Sequence, residues 1–381
     1  VKINSRITAV AVLAVSAFIV LYTGASFRSM YKDDVIVPGP SVKEVKMLSD
    51  YFDGLKGTKG DTAVYVLEGE EQGGTLLFLG GTHPNEPSGF MTAVMFIENA
   101  VVEKGRIIVI PQADKSGFTA NDPQEASPQH YSFTTRQGTV RTFRYGARAT
   151  NPLHQWPDPD IYVNPSNQTL SGSETRNLNR CYPGRPDGTL TEKIAYGIME
   201  AIRQENALVS IDLHEASPEY PVINAMVAHE KSIDLASIAV LSLEMEDIKI
   251  RLEKSPPTFY GLSHRSWGDY SDTWPILIET ANPSQGRLRS KTNEQLVLTG
   301  KDPWYVKAQK LGKLYVPFDE NGHPLDQRVG RHSSSIQAII TAMEYFFPPE
   351  QTIVISGVPG YSDLMANGIG HYLREPGAGT D

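Results

Sequence analysis

Residues 75–89 read T-L-L-F-L-G-G-T-H-P-N-E-P-S-G, an apolar run that stops at a Gly-Gly pair and opens into a loop carrying His83 and Glu86. Leu76, Leu77, Phe78 and Leu79 are unbroken by polar residues, the mark of a strand covered on both faces. Pro87 suits the first position of a helix, where its fixed φ fits and its missing N–H would have been unsatisfied anyway. Phe90, Val94 and Ile97 follow at helical spacing, with Met91 and Met95 beside them. His83 and Glu86 therefore fall between a strand's carboxyl end and a helix, where open α/β sheets place their ligands. Alone, the pair fits a polar loop with a hydrogen-bonded histidine equally well.

The same alternation extends along the chain. Strands are expected at 63–67, at 106–111 (R-I-I-V-I-P), at 207–213, 222–227 and 248–252, and at 274–280 (W-P-I-L-I-E-T). Thr189 and Glu192 form a capping box ahead of a helix with Ile194, Ile198 and Ile202 inward. Further helices are expected at 233–245 and 334–346, the latter stopped by Pro348 and Pro349. Residues 112–173, rich in Pro, Asn, Asp and aromatics such as Tyr145, Trp156 and Tyr162, follow neither period and read as loops over one face of the sheet. No internal repeat is present. The expected organisation is an N-terminal segment at 1–30, a polar linker at 31–60, a catalytic domain at 61–350 and a Gly-rich tail at 351–381 with one strand signal at 353–355.

The chain has 381 residues, 40% of them hydrophobic, with a net charge of −9, which suits a packed α/β protein and argues against a general nucleic-acid binder. Cys181 is the single cysteine, so an internal disulfide and a cysteine-based zinc site are both excluded. Any metal must be held by histidines and carboxylates. Residues 7–27 are uncharged and mostly apolar, bracketed by Lys2 and Arg6 before and Arg28 and Lys32 after. That length spans roughly 30 Å of hydrocarbon as a helix. The expectation is an uncleaved anchor with its basic end in the cytoplasm and the catalytic domain periplasmic or at the cell surface; secretion after cleavage near Gly24, Ala25 and Ser26 is the alternative.

His83 with Glu86, His214 in D-L-H, and Glu279 in I-E-T all lie at carboxyl ends of expected strands, so parallel strands would gather them at one edge. Two histidines and a carboxylate are a standard catalytic zinc set, and a carboxylate off the metal can take the proton from water. Taken singly, His214 also fits a core histidine and Glu279 a paired carboxylate. Asn179 and Arg180, in N-L-N-R-C-Y-P-G at 177–184, add a planar fork for a carboxylate and an amide beside it, although a surface arginine in a turn reads the same way.

This ordered set resembles the zinc metallocarboxypeptidase superfamily, in particular its succinylglutamate desuccinylase and aspartoacylase branch, over residues 75–282. The resemblance implies a three-layer α/β/α fold with a mixed, mostly parallel central sheet. It implies one zinc ion bound by His83, Glu86 and His214, with Glu279 as the base that activates water. By the same resemblance Asn179 and Arg180 hold the substrate's free carboxylate, and either Arg176 or Arg148 stabilises the oxyanion. The implied activity is hydrolysis of an amide next to a free carboxylate, as in an N-acyl amino acid deacylase. Alternatives are a carboxypeptidase acting on peptides or cell-wall stems, and a non-catalytic module that captures carboxylate ligands. The chain departs from the branch at Pro84, where Gly is usual, and at Asn177, where Asp is usual. Glu279 sits in a setting closer to the peptidases. Arg287, Arg289 and Tyr260 are minor candidates for the cleft, with solvent exposure the simpler reading. Oligomeric state is not legible in the sequence.

Overall fold

A computed structural model describes residues 5–122 and 128–377. Lys2, in the expected basic flank, and residues 378–381 of the expected tail lie outside them. The chain opens with α1 (Ser5–Ser29), an apolar helix with no buried residue, long and apolar enough to cross a membrane. Then follow β1 (Val42–Met47), β2 (Ala63–Glu68), β3 (Glu71–Leu79), α2 (Pro87–Asn99) and β4 (Val101–Ile110). Two small hairpins come next, β5 (His130–Thr134) with β6 (Val140–Arg144), and β7 (Ile161–Val163) with β8 (Thr169–Ser171). The second half holds α3 (Leu190–Gln204), β9 (Val209–Ala216), β10 (Ala225–Ala228), α4 (Ile233–Met245), β11 (Arg251–Lys254), α5 (Ser263–Tyr270) and β12 (Trp274–Ala281). It ends with α6 (Glu294–Thr299), α7 (Pro303–Lys310), α8 (Leu325–Ala342), β13 (Val354–Ser356), α9 (Tyr361–Asn367) and α10 (Ile369–Tyr372).

The large sheet has the order β1-β2-β4-β3-β9-β12-β10-β11, with β13 added beside β4. Its centre is parallel: β4, β3, β9 and β12 run together, while β2 pairs antiparallel with β4 and β10 antiparallel with β12. The apolar run that opens the reading becomes β3, and its side chains divide between two layers as the pleat requires. Leu76 and Phe78 face a core with Phe96 and Ile97 of α2, Leu235 and Leu243 of α4, and Ile336 and Ile339 of α8. Leu77 and Leu79 face the other core, with Ile194, Ile198 and Ile202 of α3 and Trp267 of α5. The fold is thus the expected α/β/α sandwich.

Two glycines shape the path into the site. Gly81 has φ +67° and lies where a Cβ would stand 2.7 Å from the Phe118 ring, so the chain leaves β3 by a turn that a side chain would obstruct. Gly89, in the first turn of α2, lies where a Cβ would stand 2.7 Å from the Leu213 carbonyl oxygen, so α2 starts pressed against β9.

Several segments differ from expectation. Residues 31–60, read as a linker, supply edge strand β1 and bury Leu48 and Leu55 against α3. Residues 351–377, read as a tail with one strand signal, supply that strand as β13 but also α9 and α10, and bury Leu364, Ile369 and Leu373. The stretch read as loops contains both hairpins, and α8 starts nine residues before the expected 334.

Candidate metal and catalytic site

Parallel pairing of β3, β9 and β12 brings their carboxyl ends to one edge: Leu79 pairs with Asp212, and His214 with Glu279. His83 and Glu86 follow β3 in the loop that enters α2. The Glu86 carboxylate lies between two imidazoles, with Oε1 2.8 Å from His83 Nδ1 and Oε2 3.0 Å from His214 Nδ1. The three donor atoms fall within 4.8 Å of one another, and all three residues are buried.

The outer nitrogens are held from behind. Asn177 Oδ1 is 2.9 Å from His83 Nε2, and the Asn177 amide donates to Glu174 Oε2 at 2.8 Å, which turns its oxygen toward the ring. Asp212 Oδ2 is 2.8 Å from His214 Nε2, while its Oδ1 accepts from Thr82 Oγ1 at 2.7 Å. A proton kept on each Nε2 leaves each Nδ1 lone pair directed at the shared centre, the tautomer that metal ligation needs. This donor set fits zinc.

Burial is opposed at each of these groups by specific charges. It works to raise the Glu86 carboxyl, but the two imidazoles hold it well below its ordinary range. Burial lowers His83 to about 4, with the Arg148 guanidinium acting in the same direction. At His214 burial is outweighed by the Asp212 carboxylate, and the imidazole is raised well above its usual value. Glu279 is half-buried, but its Oε2 is buried and accepts no hydrogen bond, and burial, opposed by the charge of His214, pushes the carboxyl up to about 8.

These groups line one cavity of about 320 Å³, together with Arg148, Asn179 and Arg180. Arg148 donates to Glu86 Oε1 at 2.9 Å and its side chain is 44% exposed, so it sits at the mouth. Asn179 accepts from the Ser263 N–H at 2.8 Å and lies 3.4 Å from His214 Nε2. Arg180 is braced by the Asn179 carbonyl at 2.6 Å and by Glu174 at 3.7 Å. Val222, Val227, Leu262 and Leu277 form an apolar wall.

Arg176 is not brought into the cavity: its guanidinium makes a forked pair with Asp158 at 2.7 and 2.9 Å and donates to Thr150 O. Of the two arginines considered for the oxyanion, only Arg148 lines the cavity. Tyr260, Arg287 and Arg289 do not line it either; Phe259 and Gly286 stand in their places, and Arg289 is bound to Thr292 and the Gly286 carbonyl.

Sequence reasoning missed Asp212, Tyr220, His264 and Glu215. Asp212 was detectable, because a residue two before His214 on a strand shares its face. Tyr220 and His264 line the cavity from a loop and from α5, which have no periodic signal. Glu215 braces the centre from behind: its N–H donates to Glu86 Oε2 at 2.9 Å, and its carboxylate meets Ser88 N, Asn282 and the fully buried Arg328.

No family model and no curated protein matches the sequence. Among solved structures, the chain is similar to an aspartoacylase family protein from Mesorhizobium loti, at 19% identity over 66% of this chain and 64% of that one, with a TM-score of 0.38. It is similar to a succinylglutamate desuccinylase from Silicibacter sp., at 16% identity over 67% and 66%, with a TM-score of 0.38. It is also similar to a metallo-carboxypeptidase from Burkholderia cenocepacia, at 10% identity over 81% and 66%, with a TM-score of 0.47. The chain spans just under two thirds of the length of each. These are likenesses of backbone, and the roles assigned below rest on this chain's own side chains.

Proposed function

We propose that the protein is a hydrolase that holds one zinc ion with His83, Glu86 and His214 and cleaves an amide bond next to a free carboxylate. The observation that carries this reading is a buried three-donor cluster facing, across one cavity, the Glu279 carboxyl, whose buried Oε2 accepts no hydrogen bond. Zinc, when bound there, supplies a Lewis acid and lowers the pKa of water. Glu279 takes a proton from the attacking water and delivers it to the leaving nitrogen. Water adds to the carbonyl carbon, the C–N bond breaks, and the products are a carboxylate and an ammonium. Arg148, at the mouth, donates to the oxygen on which negative charge develops. Arg180 offers its planar fork to the substrate carboxylate, beside an Asn179 amide fixed by Ser263.

The substrate this favours is an N-acyl amino acid. The apolar wall of Val222, Val227, Leu262 and Leu277 also suits a C-terminal peptide residue, which makes a carboxypeptidase the second reading. In our reading α1 anchors the chain in a membrane, with the catalytic domain on the extracytoplasmic side.

Metal analysis after zinc reconstitution, followed by a hydrolysis screen of N-acyl amino acids and short peptides, tests this. Stoichiometric zinc and release of free amino acid are expected. A chain that holds no metal sinks the reading, and cleavage of peptides alone moves it to the carboxypeptidase. Binding of both substrate sets without turnover would leave a capture module.

A further inference from the structure

The chain leaves α1 in a fixed direction. Met30, just beyond the helix, is fully buried, and its carbonyl accepts from Arg144 Nη1 at 3.0 Å. Asp34 is held by Arg144 Nε at 2.8 Å and by Gln112 at 2.6 Å. The last turn of the helix is therefore docked on the domain, and the loop it meets there spans residues 151–157, N-P-L-H-Q-W-P. Phe27, Arg28 and Tyr31 share a groove of about 590 Å³ with Pro152 and Leu153, and the Tyr31 and His154 rings meet edge-on at 6.3 Å.

That loop is tied down at alternate points. Asn151 donates to Thr119 Oγ1 and accepts from the Leu153 N–H, His154 bonds Ser116, and Gln155 bonds Thr175 and Thr191. Leu153, between two of these ties, and Trp156, next to the last of them, project outward, 81% and 73% exposed. A single exposed apolar side chain is ordinary. Two on one well-tied loop, beside the point where an apolar helix of membrane-crossing length leaves the domain, need a covering surface. Arg28 in the last turn of the apolar helix, and Tyr31 and Lys32 just beyond it, give the composition of a membrane–water boundary. Asp33 and Asp122 stand nearby as well, so the neighbourhood is of mixed charge.

We propose that loop 151–157 is a second membrane contact, inserting Leu153 and Trp156 among lipid headgroups and seating the catalytic domain on the bilayer. This rests on the reading of α1 as a membrane anchor. The occupant is lipid because the loop continues the surface from which α1 emerges. One consequence concerns the cleft: Ala147 and Ala149 line the groove, and Arg148 between them lines the catalytic cavity. The mouth then opens beside the bilayer, and substrates presented at a membrane surface reach it directly.

The test uses the full chain reconstituted into vesicles of phosphatidylcholine and phosphatidylglycerol. Cys181 is buried, so Leu153→Cys can be labelled selectively with an environment-sensitive fluorophore. The label is expected to shift to the blue, to be quenched by brominated acyl chains and to resist aqueous iodide. Bromolipid quenching of tryptophan is expected to drop in Trp156→Phe. A carbonate-resistant chain whose Leu153 label stays open to iodide, with tryptophan quenching unchanged in Trp156→Phe, overturns the second contact and leaves the anchor standing. Release of the chain by alkaline carbonate removes both.

Discussion

Glu279, opposite His214 across the β9–β12 pairing, and Asp212, two positions before it, set two carboxylates around the same histidine, and their surroundings give them different work. Asp212 accepts from Thr82 through Oδ1 and sets Oδ2 2.8 Å from His214 Nε2, and so is suited to orient a ligand. Glu279 has an oxygen with nothing to hold, which suits a group that must gain and lose a proton. Glu279→Gln is expected to retain zinc while kcat falls by about 10²–10⁴, the usual worth of a general base. Full activity in that variant would remove it from the mechanism. Asp212→Asn should act on metal instead, weakening zinc by about 10–100-fold in a competition titration against a chromophoric chelator. Asn177 shows that a neutral amide can do the same job at His83, keeping the hydrogen bond while giving up the charge. Away from the centre, Asp114 is fully buried; burial pushes its carboxyl up to about 7 despite bonds from Gly117 and Thr150. Because the folded chain then holds that proton more tightly than the unfolded one, stability falls as pH rises from about 4 to about 7. Asp114→Asn should flatten that slope in denaturant titrations run across the window, and an unchanged slope would show that Asp114 does not cause it.

Among the elements, those legible in the sequence bury apolar side chains in regular order, and those that were not do so through polar or edge positions. The capping box at α3 is a clear case: Thr189 Oγ1 accepts from the Glu192 N–H, and the Glu192 carboxylate accepts from the Thr189 N–H. Thr189→Ala should cost about 1 kcal/mol, read as a lower denaturation midpoint with an unchanged slope. Strand β1, V-K-E-V-K-M, carries lysines on a sheet edge, where charge prevents further pairing and also hides the strand from a search for apolar runs. Helix α8 was recognised only in its apolar half. Its first turns bury Arg328, Arg331 and His332, and the Arg328–Glu215 pair at 2.6 Å replaces the apolar contacts that periodicity detects. The clustering of the candidate ligands His83, Glu86 and His214 was legible because strand ends and ligand spacing mark them; Tyr220 and His264 were not, because only the fold brings them to the cavity.

At the scale of the whole molecule, the segments read as linker and tail pair and pack with the α/β/α layers, and one buried carboxylate ties both of them to α2. Glu98, near the end of α2 and fully buried, accepts from the Val37 N–H through Oε1. Its Oε2 accepts from Arg141 Nη1 at 2.7 Å and from the Arg374 N–H at 2.8 Å. One side chain thus ties the approach to β1, the β5–β6 hairpin and the C-terminal segment to a helix whose other end carries the Glu86 loop. Arg141 is also buried, so removing the charge of Glu98 leaves a buried guanidinium without its counter-ion. Breaking such a pair from one side costs about 3–5 kcal/mol. Glu98→Gln, which keeps the shape, is expected to lower the unfolding midpoint and to open residues 351–377 to protease while the segments carrying His83, Glu86 and His214 stay protected. Glu98 bonds none of the groups around the cavity, so zinc affinity in the surviving folded fraction should not change. If protease sensitivity spreads evenly over the chain, or if zinc affinity falls together with stability, these segments are continuous with the catalytic unit in a way that one carboxylate does not explain.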